Sequence, residues 1–372
     1  MTRLPDFELE RYFAHHEFNT PHLLCCSDCQ TLTVGELLAM EDGAPQALMA
    51  LPLGYTEAPG ARWLREEIAA MHQHVSPDNV LMLSGAEEGI FIFMNAAVGP
   101  GDHVVVQYPC YQSLFQVAKS AGAEVTLWEM DPNTGWKTDI DDLSGLIRSN
   151  TRAVVINSPH NPTGRVLPEP FYRDLARLSD EKGFLIFSDE VYRFLEYDVD
   201  RYPSMTDFSD TAVSLGVMSK AFGLAGLRIG WVSSRNRDLM NRLAAFKDYT
   251  TICNSGPSEI LAGVALRRRE RILDTNRGII ADNLPRMEQF MAKWTERFDW
   301  TPPQGGPICF PRLRTGAVSD DFCREVREGA GVLLLPGRVY GASYAAHFRM
   351  GFGRRDFAEG LERLDTWLSG RD

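Results

Sequence analysis

The sequence predicts an α/β fold, with a large domain built on a mostly parallel seven-stranded sheet flanked by helices and a smaller α+β C-terminal domain. Three observations carry this expectation. Short β-branched or apolar runs recur between helical stretches at 80–83, 103–107, 124–128, 152–156, 184–187, 212–217 and 229–233, the alternation expected of parallel strands joined by crossover helices. The length of 372 residues suits two domains at roughly 100 to 200 residues each. After Pro257 the pattern changes to one long helical stretch through Ser258, Leu261, Ala265 and Ile272 toward Met287 and Phe290, with no strong breaker before Pro285.

Taken in order, the first forty or so residues are weakly periodic and are expected to pack as an arm on the small domain, which places the domains at 1–40, 41–277 and 278–372. Residues 167–183 predict a single crossover helix, with Phe171, Leu175 and Leu178 on one face and Gly183 closing it. Beyond the long helical stretch, strand-like 307–313, helical 320–328, strand-like 332–335 and 347–351, and helical 355–368 form the C-terminal unit. Site loops in such a fold follow the carboxyl ends of the strands.

Composition excludes several classes. Hydrophobic residues at 44% and charged residues at 24% are ordinary globular values. A formal net charge of −12 disfavours nucleic acid, which needs a basic face. The longest apolar stretches, such as Ile90–Met94 running into Ala96–Val98, stop far short of the roughly 18 residues that cross a bilayer. Residues 1–6 carry no apolar core or small-residue cleavage site, so the cytoplasm is the expected compartment. Seven scattered cysteines suit reduced thiols. Cys26 and Cys29 form a C-x-x-C pair with His15, His16 and His22 upstream, but no second pair completes a zinc site; no metal is assigned.

The chemistry centres on Lys220 and Arg228, an amine and a guanidinium eight residues apart among small residues. Lysine forms Schiff bases with carbonyl compounds, and an aldehyde that also bears an anion for Arg228 points to pyridoxal 5'-phosphate. Read alone, the segment is equally a buried turn. Asp189, at the end of the 184–187 run, suits the protonated pyridine nitrogen that makes the ring an electron acceptor, although a helix cap explains it as well in isolation. Asn161, in the turn Asn157–Gly164, and Tyr192 suit the cofactor's phenolic oxygen, where hydrogen bonding to the phenolate tunes the Schiff base. Ser84–Gly85–Ala86–Glu87 ends a strand and opens a helix, exposing backbone amides to a phosphate. Tyr111 is placed to stack on a planar ring or to serve as a core tyrosine. Arg349 sits in an apolar strand, where it must meet either a substrate carboxylate or an internal acid.

Together the Asn-Pro-Thr-Gly turn, the Asp-x-x-Tyr pair and the Ser-Lys segment with its distal arginine resemble the class I/II aminotransferases, of the fold type I pyridoxal-phosphate superfamily, over roughly residues 50–355. The resemblance implies that Lys220 carries the cofactor, Asp189 pairs with its ring nitrogen and Asn161 and Tyr192 contact its phenolic oxygen. It also implies that Arg349 takes the substrate carboxylate. The segment Gly54–Gly60 followed by Leu64–Arg65 is similar to the one whose tyrosine, here Tyr55, crosses to a partner subunit's phosphate, which implies a homodimer. Val217 departs from the family's usual serine or threonine three residues before the lysine, so one phosphate hydrogen bond is lost or supplied by Ser219.

A narrower similarity, in Leu9–Phe13, Lys247–Tyr249 and Pro336–Val339, is to arginine-derived cyclases of the capreomycidine synthase type. The expected activity is therefore amino transfer between an α-amino acid and a 2-oxo acid. The alternative is elimination and ring closure on a hydroxylated arginine-like or other β/γ-substituted amino acid. Tyr12, Phe13, Glu17 and Phe18 are the candidates to meet an aromatic or basic side chain.

Overall fold

The structure, a computed structural model, describes residues 4–197 and 199–371. All seven sequence-predicted strands are present: β1 (Val80–Leu83), β2 (His103–Tyr108), β3 (Glu124–Glu129), β4 (Thr151–Asn157), β5 (Leu185–Asp189), β6 (Ala212–Val217) and β7 (Gly230–Ser233). They form one sheet in the order β1-β7-β6-β5-β4-β2-β3. Every pairing is parallel except those of β7, which runs antiparallel to both β1 and β6.

The central strands read as continuous apolar runs because both faces are covered. Along β4 and β5, Val154, Ile156 and Ile186 pack with Phe171 and Leu175 of the crossover helix Glu169–Lys182, while Ala153, Val155 and Phe187 face the opposite core with Ile90 and Phe93. That helix ends as expected: Gly183 takes φ 78° and its N–H bonds Ser179 O, the left-handed cap that glycine adopts without a Cβ penalty.

Two expectations are corrected. The long helical stretch after Pro257 is two helices, Gly256–Arg267 and Arg269–Lys293, broken at Arg268 (φ −106°, ψ 18°). No proline or glycine marks the break. It falls in an arginine run drawn to carboxylates on other elements, Arg267 to Glu41 at 2.7 Å and Arg269 to Glu67 at 3.8 Å. Pro285 lies inside the second helix instead of ending it, and the proposed boundary at 277/278 falls within the same helix. The strand expected over 307–313 is two short pieces, Ile308–Cys309 and Arg312–Leu313, because Pro311 between them has no N–H to donate.

In the C-terminal part, Phe348–Gly351 is the middle strand between Ile308–Cys309 and Leu335–Pro336, with helices Ser319–Ala330 and Phe357–Ser369 alongside. The N-terminal segment joins it directly, since His22–Leu23 pairs in parallel with Val332–Leu333. No helix among the described residues is long and apolar enough to cross a membrane.

A Cβ at Gly183 would meet nothing within 4 Å, so Gly183→Ala isolates the backbone penalty. It is expected to lower unfolding stability by about 1 kcal/mol, and Gly183→Asn by less; urea denaturation midpoints of the three proteins check this.

Candidate active site

The carboxyl ends of β4, β5 and β6 converge on a cavity of about 420 Å³, the crevice where doubly wound sheets bind ligands. β5 delivers Asp189, only 6% exposed. Its carboxylate accepts one hydrogen bond, from Val191 N–H at 3.2 Å. Burial pushes its pKa up to about 7, against the pull of that N–H and of the Lys220 charge. Residues 191–194 form turns and no helix, so Asp189 is not a helix cap. A carboxylate this buried and this sparsely bonded is costly unless a cationic N–H meets it.

β4 ends at Asn157, whose side chain ties two loops together. Its Nδ2 donates to Asp189 O at 2.8 Å and its Oδ1 accepts Asn161 N–H at 2.7 Å. Asn161 is thereby fixed at the cavity wall, and its Oδ1 accepts from Tyr340 OH at 2.9 Å and Arg349 Nη1 at 3.2 Å. Gly164 closes this turn at φ 70°, where a Cβ would lie 2.8 Å from Ile308 O.

After β6, the loop bearing Lys220 is pinned by Met218 N–H to Ile229 O at 3.0 Å and Leu224 N–H to Met218 O at 2.9 Å. Lys220 Nζ donates to Ser27 Oγ at 2.9 Å and lies 6.0 Å from the Tyr192 ring centroid. Arg228 adopts φ 50° and donates Nη1 to Ala225 O at 3.1 Å. A Cβ on Gly85 would sit 2.6 Å from Arg228 Nη2. The guanidinium therefore lies directly over the Gly85–Ala86 turn that opens the helix Ala86–Ala97. Backbone amides at a helix start and a guanidinium form an anion cradle. Ser219 lines the cavity, whereas Val217 is buried in the core.

Arg349 is 1% exposed. Its Nε and Nη2 donate to Cys25 O at 3.2 and 2.8 Å, and its Nη1 to Tyr340 OH at 2.7 Å. Among the described residues no carboxylate pairs with it, so the internal salt bridge that the sequence left open is not formed.

Sequence reading missed Tyr340, one residue beyond the quoted Pro336–Val339 segment, and the part that residues 25–28 of the expected N-terminal arm play in the site. Leu9, Glu10, Cys26, Ser27 and Asp28 all line the cavity, and only tertiary pairing brings them there. Glu10 Oε1 accepts Tyr111 OH at 2.9 Å, and the Tyr111 ring contacts Phe7 at 4.8 Å between centroids while lining the cavity. Of the four side chains considered for substrate contact, Phe13 and Glu17 line the cavity. Tyr12 turns away, donating to Leu334 O at 2.8 Å, and Phe18 is 89% exposed. Glu87 stands at the cavity edge, accepting from Ser113 Oγ. Tyr55 is 92% exposed and does not line the cavity of its own chain.

The donor set fits pyridoxal phosphate on its own chemistry. An amine, a buried carboxylate lacking a cationic partner, a guanidinium over a helix start and amide and phenol groups face one volume.

The family model for class I and II aminotransferases matches residues 39–363. The chain is 31% identical to capreomycidine synthase from Streptomyces vinaceus over 99% of its length and 96% of that protein's. A PLP-dependent aminotransferase from Streptococcus suis superposes with a TM-score of 0.94 at 30% identity, covering 100% of this chain and 99% of that one. The PLP-dependent cyclase OrfR superposes at 0.91 with 28% identity, covering 100% and 99%. With the sheet order, the cavity and its donor set in agreement with these matches, the chain belongs to the class I and II aminotransferase family of pyridoxal-phosphate-dependent, fold type I enzymes.

Proposed function

We propose that the protein transfers the amino group of an α-amino acid to a 2-oxo acid. The observation that carries this reading is Arg349, a buried guanidinium bonded, among the described residues, to neutral oxygens and facing the same cavity as Lys220. A substrate carboxylate supplies the missing anion, and anchoring it fixes the direction of the α-carbon bonds relative to the Lys220 amine. When bound, pyridoxal phosphate supplies the aldehyde for amine exchange and a ring that accepts the electron pair released at the α-carbon. Lys220 would hold the cofactor, and its amine, placed beside the α-carbon, would carry the proton away from it. Asp189 would keep a proton on the ring nitrogen, Arg228 and the amides at Gly85–Glu87 would hold the phosphate, Tyr111 would cover the ring, and Asn161 and Tyr192 would bond the phenolic oxygen.

One observation favours elimination with ring closure as a second reading. The family model begins at residue 39, yet the likeness to capreomycidine synthase extends over 99% of the chain. It thus takes in the N-terminal strap that lines the cavity. Both readings use the same groups up to removal of the α-proton and diverge in what leaves next.

We also propose a homodimer. Thr56 Oγ1 donates to Asn254 O at 2.8 Å, bringing the segments that bear the exposed Leu53, Tyr55, Tyr249 and Ile252 together. That apolar face suits a second copy, whose cavity Tyr55 would complete.

Mixing the holoenzyme with an amino donor should convert the cofactor to its pyridoxamine form and release a keto acid. Recovery of the original absorbance with release of ammonia or a cyclic product would select the second reading. Lys220→Ala is expected to lose the borohydride-fixed cofactor, read by peptide mass, and about 10² to 10⁴-fold in rate. Arg349→Lys should raise the amino-acid KM by about tenfold or more, since a point charge replaces the fork.

The Asp189 pKa is raised in the folded state, so its proton stabilises the apoprotein at low pH. That contribution is lost as pH rises from about 4 to about 7. Asp189→Asn apoprotein should be the more stable of the two near neutrality by about 1 kcal/mol or more. It should also show a flatter pH dependence between those limits in urea titrations. Cofactor should reverse the order.

A further inference from the structure

With the cofactor and the α-carboxylate assigned, the charges around the cavity do not cancel. Arg354 is spent on Asp28 through two bonds, Nε to Oδ1 at 3.1 Å and Nη2 to Oδ2 at 2.8 Å. Glu10 is bonded by Tyr111 OH at 2.9 Å and Glu87 by Ser113 Oγ. Arg228 faces the phosphate cradle and Asp189 the ring nitrogen. Glu17 is left over. It follows the helix Glu8–His16, and its half-buried side chain lines the cavity. Among the described residues its carboxylate has neither a hydrogen bond nor an ion pair. Two cations act on it: Arg354, which already holds Asp28 in a two-pronged pair, and Lys220, which is assigned to the cofactor.

Burial raises the Glu17 pKa, the mark of a carboxylate held partly out of water without full compensation. Phe13, four residues earlier, lies on the same cavity wall, so an apolar stem and a terminal cation both find partners there. Arg349 and Glu17 are thus opposite charges, each lacking an ion-pair partner among the described residues, that line one cavity.

We infer that Glu17 binds the far end of the substrate, and that the amino acid taken by this site carries a guanidinium or ammonium group at the tip of its side chain. The inference rests on the reading of Arg349 as the α-carboxylate anchor. Glu17 selects the side chain and takes no part in the proton transfers.

The test uses ligands without an α-amine, which cannot displace Lys220. Holoenzyme is titrated calorimetrically with 5-guanidinopentanoate, 6-aminohexanoate and, as the neutral reference, hexanoate. At least one cationic ligand should bind about tenfold or more tightly than hexanoate, and the two cationic arms tell guanidinium from ammonium. Glu17→Gln should reduce that preference to within about twofold while leaving hexanoate unchanged. Equal binding of all three ligands to the wild-type protein, or a preference that survives Glu17→Gln, overturns the inference. If Arg349→Lys leaves hexanoate affinity intact, the carboxylate anchor itself is wrong, a result separable from the behaviour of Glu17.

Discussion

Everything at the site depends on how the Arg349 guanidinium is kept charged and dry. Its hydrogen-bond acceptors are distributed over three parts of the chain: Cys25 from the N-terminal strap, Asn161 from the turn after β4, and Tyr340 from the segment before its own strand. Neutral oxygens satisfy its hydrogen bonds without cancelling its charge, so an anion entering the cavity meets a cation already oriented. A carboxylate neighbour in place of Tyr340 would have stabilised the empty protein and abolished that preference. The arrangement costs folding stability and places the unbalanced charge where the ligand arrives.

Asp189 has the same character with opposite sign. It sits at the end of a fully buried strand with one backbone hydrogen bond, and burial lifts its pKa toward neutrality. A cationic ring nitrogen relieves the penalty. Two costly buried ionisable groups therefore face the two ends of the proposed chemistry, the electron-accepting ring and the carboxylate that orients the α-carbon.

Much of this was legible in the sequence because the relevant signals are local. The sheet strands are compact runs, several of them flanked by glycine or proline; Lys220, Asp189 and Asn161 each follow such a run within a few residues, and Arg228 immediately precedes one. Arg349, Phe13 and Glu17 were legible on the substrate side, but the groups that hold that side together were not, for the same reason. Ser27 meets Lys220 across 193 residues and Cys25 meets Arg349 across 324, and nothing near residues 25–27 marks them as polar partners. The helix break at Arg268 was equally hidden, since it answers to Glu41 and Glu67 on other elements. Phe13 and Tyr12 are adjacent aromatics on one helix, and only packing decides that the first faces the cavity and the second the small-domain backbone.

The strap also sets the order in which the protein can become competent. It is anchored by His22–Leu23 on Val332–Leu333 and by Gly351 N–H to Leu24 O at 2.7 Å. It crosses Gly351 so closely that a Cβ there would lie 1.8 Å from Cys26 O. During synthesis, residues 22–27 leave the ribosome early yet find their partners only when residues 332–351 have emerged. The sheet and the lysine loop can be in place long before then, but the wall that receives substrate is finished by an early-made segment docking onto one made long after it.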